Sequence, residues 1–322
     1  MKSYELVTET IKGNNPGRTP IYGWIAWNLD WAGNPKYKSH TAFEDRYEFD
    51  MAHLFGGPGC FNHEKLNELR KSGVEITPEV LLDIPLQPVD RMEDYKSIID
   101  EINFYRKDRE RFCYVQSNGI FECLNDAFGI ENHLMYLILY PDELKEVYKR
   151  QTEWNIKFNN IMAELGVDMI HISDDWGSQN SMMFSRNMFE EFILPCHTKI
   201  AENVKKTGKF LSLHSDGNIN EALDGVLDIG FDVLHPWQET AGMSYETYLQ
   251  KYSDKFAILG GVCVQSVLGF GNYEKLEHEI RKAFKLLKGK RFLCCTTHFV
   301  QNHCTFEELE FAYDLIYKLA RS

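Results

Sequence analysis

The sequence has no apolar run approaching the ~20 residues that a membrane-spanning helix needs. Its first ten residues, MKSYELVTET, contain no apolar core segment, so no secretory signal is expected. None of the eight cysteines forms a CxxC pair. That spacing argues against a thiolate zinc ribbon or a dithiol redox motif. Several of the cysteines lie in apolar runs, where a free thiol behaves as a small hydrophobe, and a reduced, cytoplasmic setting is expected.

Basic residues are in the minority, with 35 Lys and Arg against 48 Asp and Glu, a formal net charge of -13 and a pI of about 5.4. No basic stripe is visible, so a nucleic-acid partner is not expected. A polyanionic substrate would need a locally basic pocket to enter so acidic a chain. The glycine-rich segment LFGGPGC (54–60) lacks the Lys-Ser/Thr ending of a phosphate loop, and no GxGxxG follows the first strand. Repeats, low-complexity tracts and Pro/Gly/Ser linkers are also missing, so residues 1–322 are read as one domain.

What is present is a globular composition, 43% apolar, and a pattern of short apolar runs alternating with amphipathic segments. After a first helix in residues 1–20, Ile21–Trp27 reads as a strand rich in aromatic and β-branched residues. Residues 75–90 read as strand and loop, and Phe112–Gln116 as a strand. Pro141 opens a long helix with Asp142 and Glu143 in its first turn, and Gly166 closes it. Further strands are expected at 167–172, 210–213, 230–235, 256–259 and 291–295. Ser185 caps a helix that Pro195 kinks or breaks. Thr305 and Glu308 form a capping box for the last helix.

Strand ends near Asp174, Asp216, Pro236, Gly261 and His298 are separated by βαβ distances, which implies a parallel sheet. Polar residues gather just after the strands, the face where a (β/α)8 barrel carries its site. Their number favours a single (β/α)8 TIM barrel over an open doubly wound sheet.

Several strand-end residues are candidates for chemistry. Asp174 and Asp175 are adjacent carboxylates after a buried strand, costly there unless hydrogen-bonded or functional, and are candidate catalytic groups. His214, Asp216 and His298 make a two-histidine, one-carboxylate set suited to a metal ion. His171, His235, Glu239 and Gln238 compete to complete it. Tyr22, Trp24, Trp27, Glu122, Trp176 and Gln238 are candidate substrate contacts, with core packing the competing reading for the aromatics. His40, His53, His63, His133, His197, His278 and His303 are read as surface or structural.

Six motifs, DDWGSQ (174–179), SRNMFEEFILP (185–195), LHSDGNI (213–219), GFDVLHPWQ (230–238), LGGVCVQ (259–265) and TTHFVQ (296–301), resemble the uroporphyrinogen decarboxylase superfamily, with GIFE (119–122) a weaker match. The resemblance implies a (β/α)8 barrel and one of two activities. The true decarboxylases use no cofactor and hold a polycarboxylate with an MRQAGR-like motif; here that region reads GWIAWNLDW (23–31). The corrinoid-dependent methyltransferases that activate thiols carry His-x-Cys-Gly where this chain has HSDGN. Asp216 and His298 stand where that branch places cysteines, which makes the site harder.

The expectation is therefore a zinc-dependent methyltransferase. It would move a methyl group from a methylated small molecule, best an aryl methyl ether, to a corrinoid protein. The alternative is a cofactor-free decarboxylase of a carboxylated ring. A non-haem iron enzyme and a non-catalytic corrinoid-handling protein are more distant readings. A homodimer is compatible with all of them.

Overall fold

A computed structural model describes residues 1–322. Seven strands form one sheet in sequential order: β1 (Met51–Leu54), β2 (Phe112–Asn118), β3 (Met169–Ser173), β4 (Phe210–His214), β5 (Val233–His235), β6 (Ala257–Val262) and β7 (Phe292–Thr296). The pairs β2–β3, β3–β4, β5–β6 and β6–β7 are parallel. Helices run between and after the strands, including Pro141–Leu165, Leu194–Lys206, Tyr273–Leu287 and Phe306–Arg321, so the fold is α/β. No helix is long and apolar enough to cross a membrane.

The chain divides into two compact units. One comprises residues 1–53, 104–113 and 232–322; the other comprises 54–103 and 114–231. In the second unit, strands β3 and β4 are buried along nearly their whole length, as MIHIS and FLSLH predict for strands covered on both faces. In the first unit, β7 is wholly buried, Cys294 and Cys295 included.

The expected strand over Ile21–Trp27 is reduced to one parallel bridge, Ile21 with Cys294. Tyr22 N donates to Cys294 O at 2.8 Å and Cys294 N to Pro20 O at 2.9 Å. Pairing stops there because Tyr313, from the last helix, donates its hydroxyl proton to Tyr22 O at 3.0 Å and fills the space beside Gly23. The sheet therefore has seven strands where eight were expected.

Other differences are local. Residues 75–90 contain a short helix, Pro78–Leu82, started by Thr77, rather than a strand. Strand β1 was not anticipated, since the glycines after Leu54 pull the reading of that region towards a loop. The helix after Ser185 starts as expected, with Met188 N donating to Ser185 Oγ at 3.2 Å. It then widens to a π-helical turn over Phe189–Ile193 before continuing as Leu194–Lys206. Pro195 has no N–H to give and its ring would crowd the carbonyl four residues back, so the wide turn sits where a regular turn could not.

The last capping box is half formed. Thr305 Oγ1 accepts from Glu308 N at 3.1 Å. The Glu308 carboxylate instead accepts from the backbone N–H groups of Gly269, Phe270 and Gly271 at 2.9, 3.2 and 3.1 Å.

Candidate functional site

In the second unit, β3 and β4 pair so that Ser173 stands beside His214. The segments that follow run side by side: Asp174 N donates to His214 O at 2.9 Å and Asn218 N to Ser178 O at 2.8 Å. Gly177 allows this approach. A Cβ there would lie 2.6 Å from Asp216 O and 2.7 Å from Asn218 N. Gly217 turns the second segment with a φ of 79°. Two strand ends thus deliver Asp174, Asp175, His214 and Asp216 to one place.

The adjacent aspartates have different surroundings. Asp174 is fully buried and its four hydrogen bonds occupy both oxygens. Oδ1 accepts from Phe121 N at 2.9 Å and Glu122 N at 2.7 Å; Oδ2 accepts from Trp176 Nε1 at 2.9 Å and His197 Nε2 at 2.7 Å. Burial alone would raise its pKa, but these donors, His197 first, hold it below the usual carboxylate range. Asp174, expected as a candidate catalytic group, is placed as a buried anchor of the loop. Trp176 is likewise fully buried, packed against Phe189 and His197.

Asp175 keeps side-chain exposure of 31% and lies 3.8 Å from His214 Nε2. Its Oδ1 accepts from Asp216 N at 2.8 Å. Burial, offset in part by that hydrogen bond, raises its pKa. Burial and the Asp175 charge push the Asp216 carboxyl up to about 7. These carboxylates lack a lysine or arginine among their hydrogen-bonding partners. Next to His214 lies His171, with ring centroids 6.0 Å apart; His171 Nδ1 is 2.6 Å from Ser212 Oγ.

Glu122 lines a cleft of about 250 Å³ together with Ser173, Gln116 and Asp126. Its carboxylate accepts from Ser173 Oγ at 2.9 Å. Burial first, then the charges of Asp175 and Asp174, push its pKa up to about 7.

In the first unit, Trp24 is the hub of a ring cluster. It stacks on His235 at 4.6 Å and tilts against His53, Phe299 and His298 at 4.7, 4.7 and 5.7 Å. Trp24 and Tyr22 are buried, Tyr22 edge-on to Phe49, whereas Trp27 is 42% exposed and meets Phe299 edge-on. His298 is partly buried, and burial lowers its pKa, which keeps the imidazole neutral. His235 Nε2 lies 3.1 Å from Thr296 O. Gln238 Nε2 donates to Gln265 Oε1 at 3.1 Å.

Sequence reasoning passed over His197, Ser173, Ser212 and Ser215 as site partners. His197 sits on a helix two residues past Pro195, with no local signal. Ser215 Oγ, which accepts from Trp176 N at 2.9 Å, lies between two named residues.

Three comparisons bear on this arrangement. Residues 77–319 match the family described as Uroporphyrinogen decarboxylase (URO-D). The Methylcobamide:CoM methyltransferase MtaA of Methanosarcina barkeri is 25% identical over 161 residues, 50% of this chain and 45% of that protein, so the chain spans less than half the length of this curated relative. Among solved structures, a methyltransferase from Methanosarcina mazei superposes with a TM-score of 0.73 at 17% identity, covering 99% of both chains. A B12-independent methionine synthase from Shewanella sp. W3-18-1 superposes with a TM-score of 0.51 at 11% identity, covering 96% of each. With the family match extending over most of its length, the chain belongs to the uroporphyrinogen decarboxylase family.

Proposed function

We propose that this protein is a cytoplasmic, zinc-dependent methyltransferase of its family. It takes a methyl group from a methylated small molecule, best an aryl methyl ether, and passes it to a corrinoid carried on a partner protein. The observation that carries the reading is the clustering of His214, Asp175 and Asp216, with Asp175 tied to Asp216 N at 2.8 Å and 3.8 Å from His214 Nε2. Family membership and the methyltransferase relatives support it. We further read the seven strands and the Ile21 bridge as one (β/α)8 domain over 1–322.

The donor set fits a metal ion. His214, Asp216 and His298 together offer two imidazole nitrogens and a carboxylate oxygen, and His171, His214 and His235 are a second histidine-only group. The first set leaves room for a substrate atom in the coordination of zinc. Neutral His298 and an Asp216 carboxyl that lacks a basic partner are both suited to a cation. A zinc ion, when bound, supplies Lewis-acid polarisation of the heteroatom that loses its methyl group.

The chain's own residues do the rest. Asp175 holds Asp216 by its backbone and stands beside His214, where it can hold or deliver a proton at the leaving heteroatom. Asp174, locked to His197, keeps the loop in place. Trp27 and Phe299 offer aromatic surface for a ring.

The test is methyl transfer from a methoxyarene to cob(I)alamin, followed by absorbance, together with zinc content. Wild type is expected to carry about one zinc per chain and to turn over, and His214→Ala and Asp216→Ala to lose both. Equal rates in wild type and His214→Ala would remove the metal role. Turnover of a carboxylated ring with release of carbon dioxide, unaffected by chelator, would replace it with the decarboxylase reading.

A further inference from the structure

The cleft beside Glu122 is built entirely from the second unit, between the segment after β1 and the ends of β2 and β3. Its walls include Phe61, His63, Gln116, Glu122, Asp126 and Ser173. Two carboxylates line it, and neither lysine nor arginine does. Arg70 approaches from outside, but its guanidinium is committed to the backbone carbonyls of Asp126 and Ala127. Glu122 has only the Ser173 hydroxyl as a side-chain partner. Gln116 adds an unmet acceptor, since its Oε1 is buried with no hydrogen-bond partner. Buried acceptors without donors are costly, and native sites leave them where a ligand supplies the donor. The Gln116 oxygen accepts from a donor of either kind, whereas the two lining carboxylates favour a positively charged donor over an anion.

We propose that this cleft binds an organic cation, and that the cation is an ammonium group carried by the methyl donor. The first part stands on the cleft alone; the second rests on the methyltransferase reading above. The burial and neighbouring charges that raise the Glu122 pKa are what a bound ammonium would reverse, because an opposite charge at hydrogen-bond distance restores the ionised carboxylate. Phe61 is among the lining residues, an aromatic side chain of the type that favours ammonium groups. Ser173, paired in register with His214, sets the cleft next to the strand end that carries the proposed metal ligand. A donor anchored by its ammonium group in the cleft would therefore extend its methylated end towards His214.

The experiment uses the whole protein and three matched ligands of one shape: para-methoxyphenethylamine, para-methoxytoluene and para-methoxyphenylacetate. Calorimetric titration at neutral pH is expected to show the amine binding at least about tenfold more tightly than the carboxylate, the equivalent of roughly 1.4 kcal/mol. Glu122→Gln and, separately, Asp126→Asn are expected to weaken the amine severalfold and to leave the toluene unchanged. The unchanged toluene reports that each variant keeps its cleft. No binding of the amine, equal or tighter binding of the carboxylate, or an amine preference that survives both substitutions overturns the proposal. Methyl transfer to cob(I)alamin is scored separately. Amine binding without transfer keeps the cation site and removes the methyltransferase reading, while transfer from the toluene with no amine preference does the reverse.

Discussion

His197 Nε2 donates to Asp174 Oδ2 at 2.7 Å, and neither side chain is exposed to solvent. A helix from a later part of the chain thereby supplies a donor to the carboxylate that holds the β3 loop, and the loop's geometry depends on that hydrogen bond.

Removing the carboxylate leaves its buried donors without an acceptor, at about 1–3 kcal/mol for each that stays unsatisfied. Asp174→Ala is therefore expected to lose stability on that scale in urea unfolding, because it also orphans the N–H groups of Phe121 and Glu122. A variant that stays fully stable yet loses methyl transfer would return Asp174 to a catalytic role.

His133 sets an acid limit on stability. It is fully buried, stacked on Phe121 at 4.4 Å, with Nδ1 2.8 Å from Asn125 Oδ1 and Nε2 2.8 Å from Tyr148 OH. Burial lowers its pKa from 6.5 to about 3. Below pH 6.5 the unfolded chain takes up a proton that the folded chain refuses, so stability falls from there towards about pH 3. The slope from this one group reaches at most about 1.4 kcal/mol per pH unit. Urea unfolding at a series of pH values, compared with His133→Gln, should show a shallower decline in the variant. Parallel curves would refute the assignment.

Gly177→Ala tests the site without touching a ligand. The added Cβ would meet the backbone of Asp216 and Asn218 and displace the segment that carries Asp216. Loss of an outer support of a metal site typically costs about 10–100-fold in metal affinity. Zinc titration of the variant should show a loss in that range with the fold intact by circular dichroism. Unchanged affinity would separate Asp216 from the metal.

Glu308 anchors the loop over 269–271 rather than its own helix. Glu308→Ala leaves three N–H groups without their acceptor, at about 1–3 kcal/mol for each buried one that stays unsatisfied. Hydrogen exchange should speed at Gly269, Phe270 and Gly271 far more than within Phe306–Arg321. Thr305→Ala, by contrast, should cost about 1 kcal/mol through the helix start. Equal acceleration of loop and helix in Glu308→Ala would restore the full capping box.

Strands β2 to β7 were legible because each is a short, nearly continuous apolar run, and burial on both faces demands that composition. Helix starts at Pro141, Ser185 and Thr305 were legible because caps act within one turn. The strand expected at Ile21–Trp27 had the right residues. Tyr313, from the far end of the chain, takes the space and the carbonyl that a longer strand would need. Strand β1 was hidden by the glycines beside it.

By itself, then, the sequence determined the alternation of strand and helix and placed Asp174, Asp175, His214, Asp216 and His298 at or just beyond strand ends, because these are matters of local periodicity. Only the tertiary structure decided what surrounds each of them there. Asp174 and Asp175 are identical neighbours in the sequence. One is buried and saturated by donors from Phe121, Glu122, Trp176 and His197, while the other stays partly open beside His214. Trp176 is local, but Phe121, Glu122 and His197 arrive from more than 20 residues away, since burial and hydrogen-bond supply are properties of the packed chain.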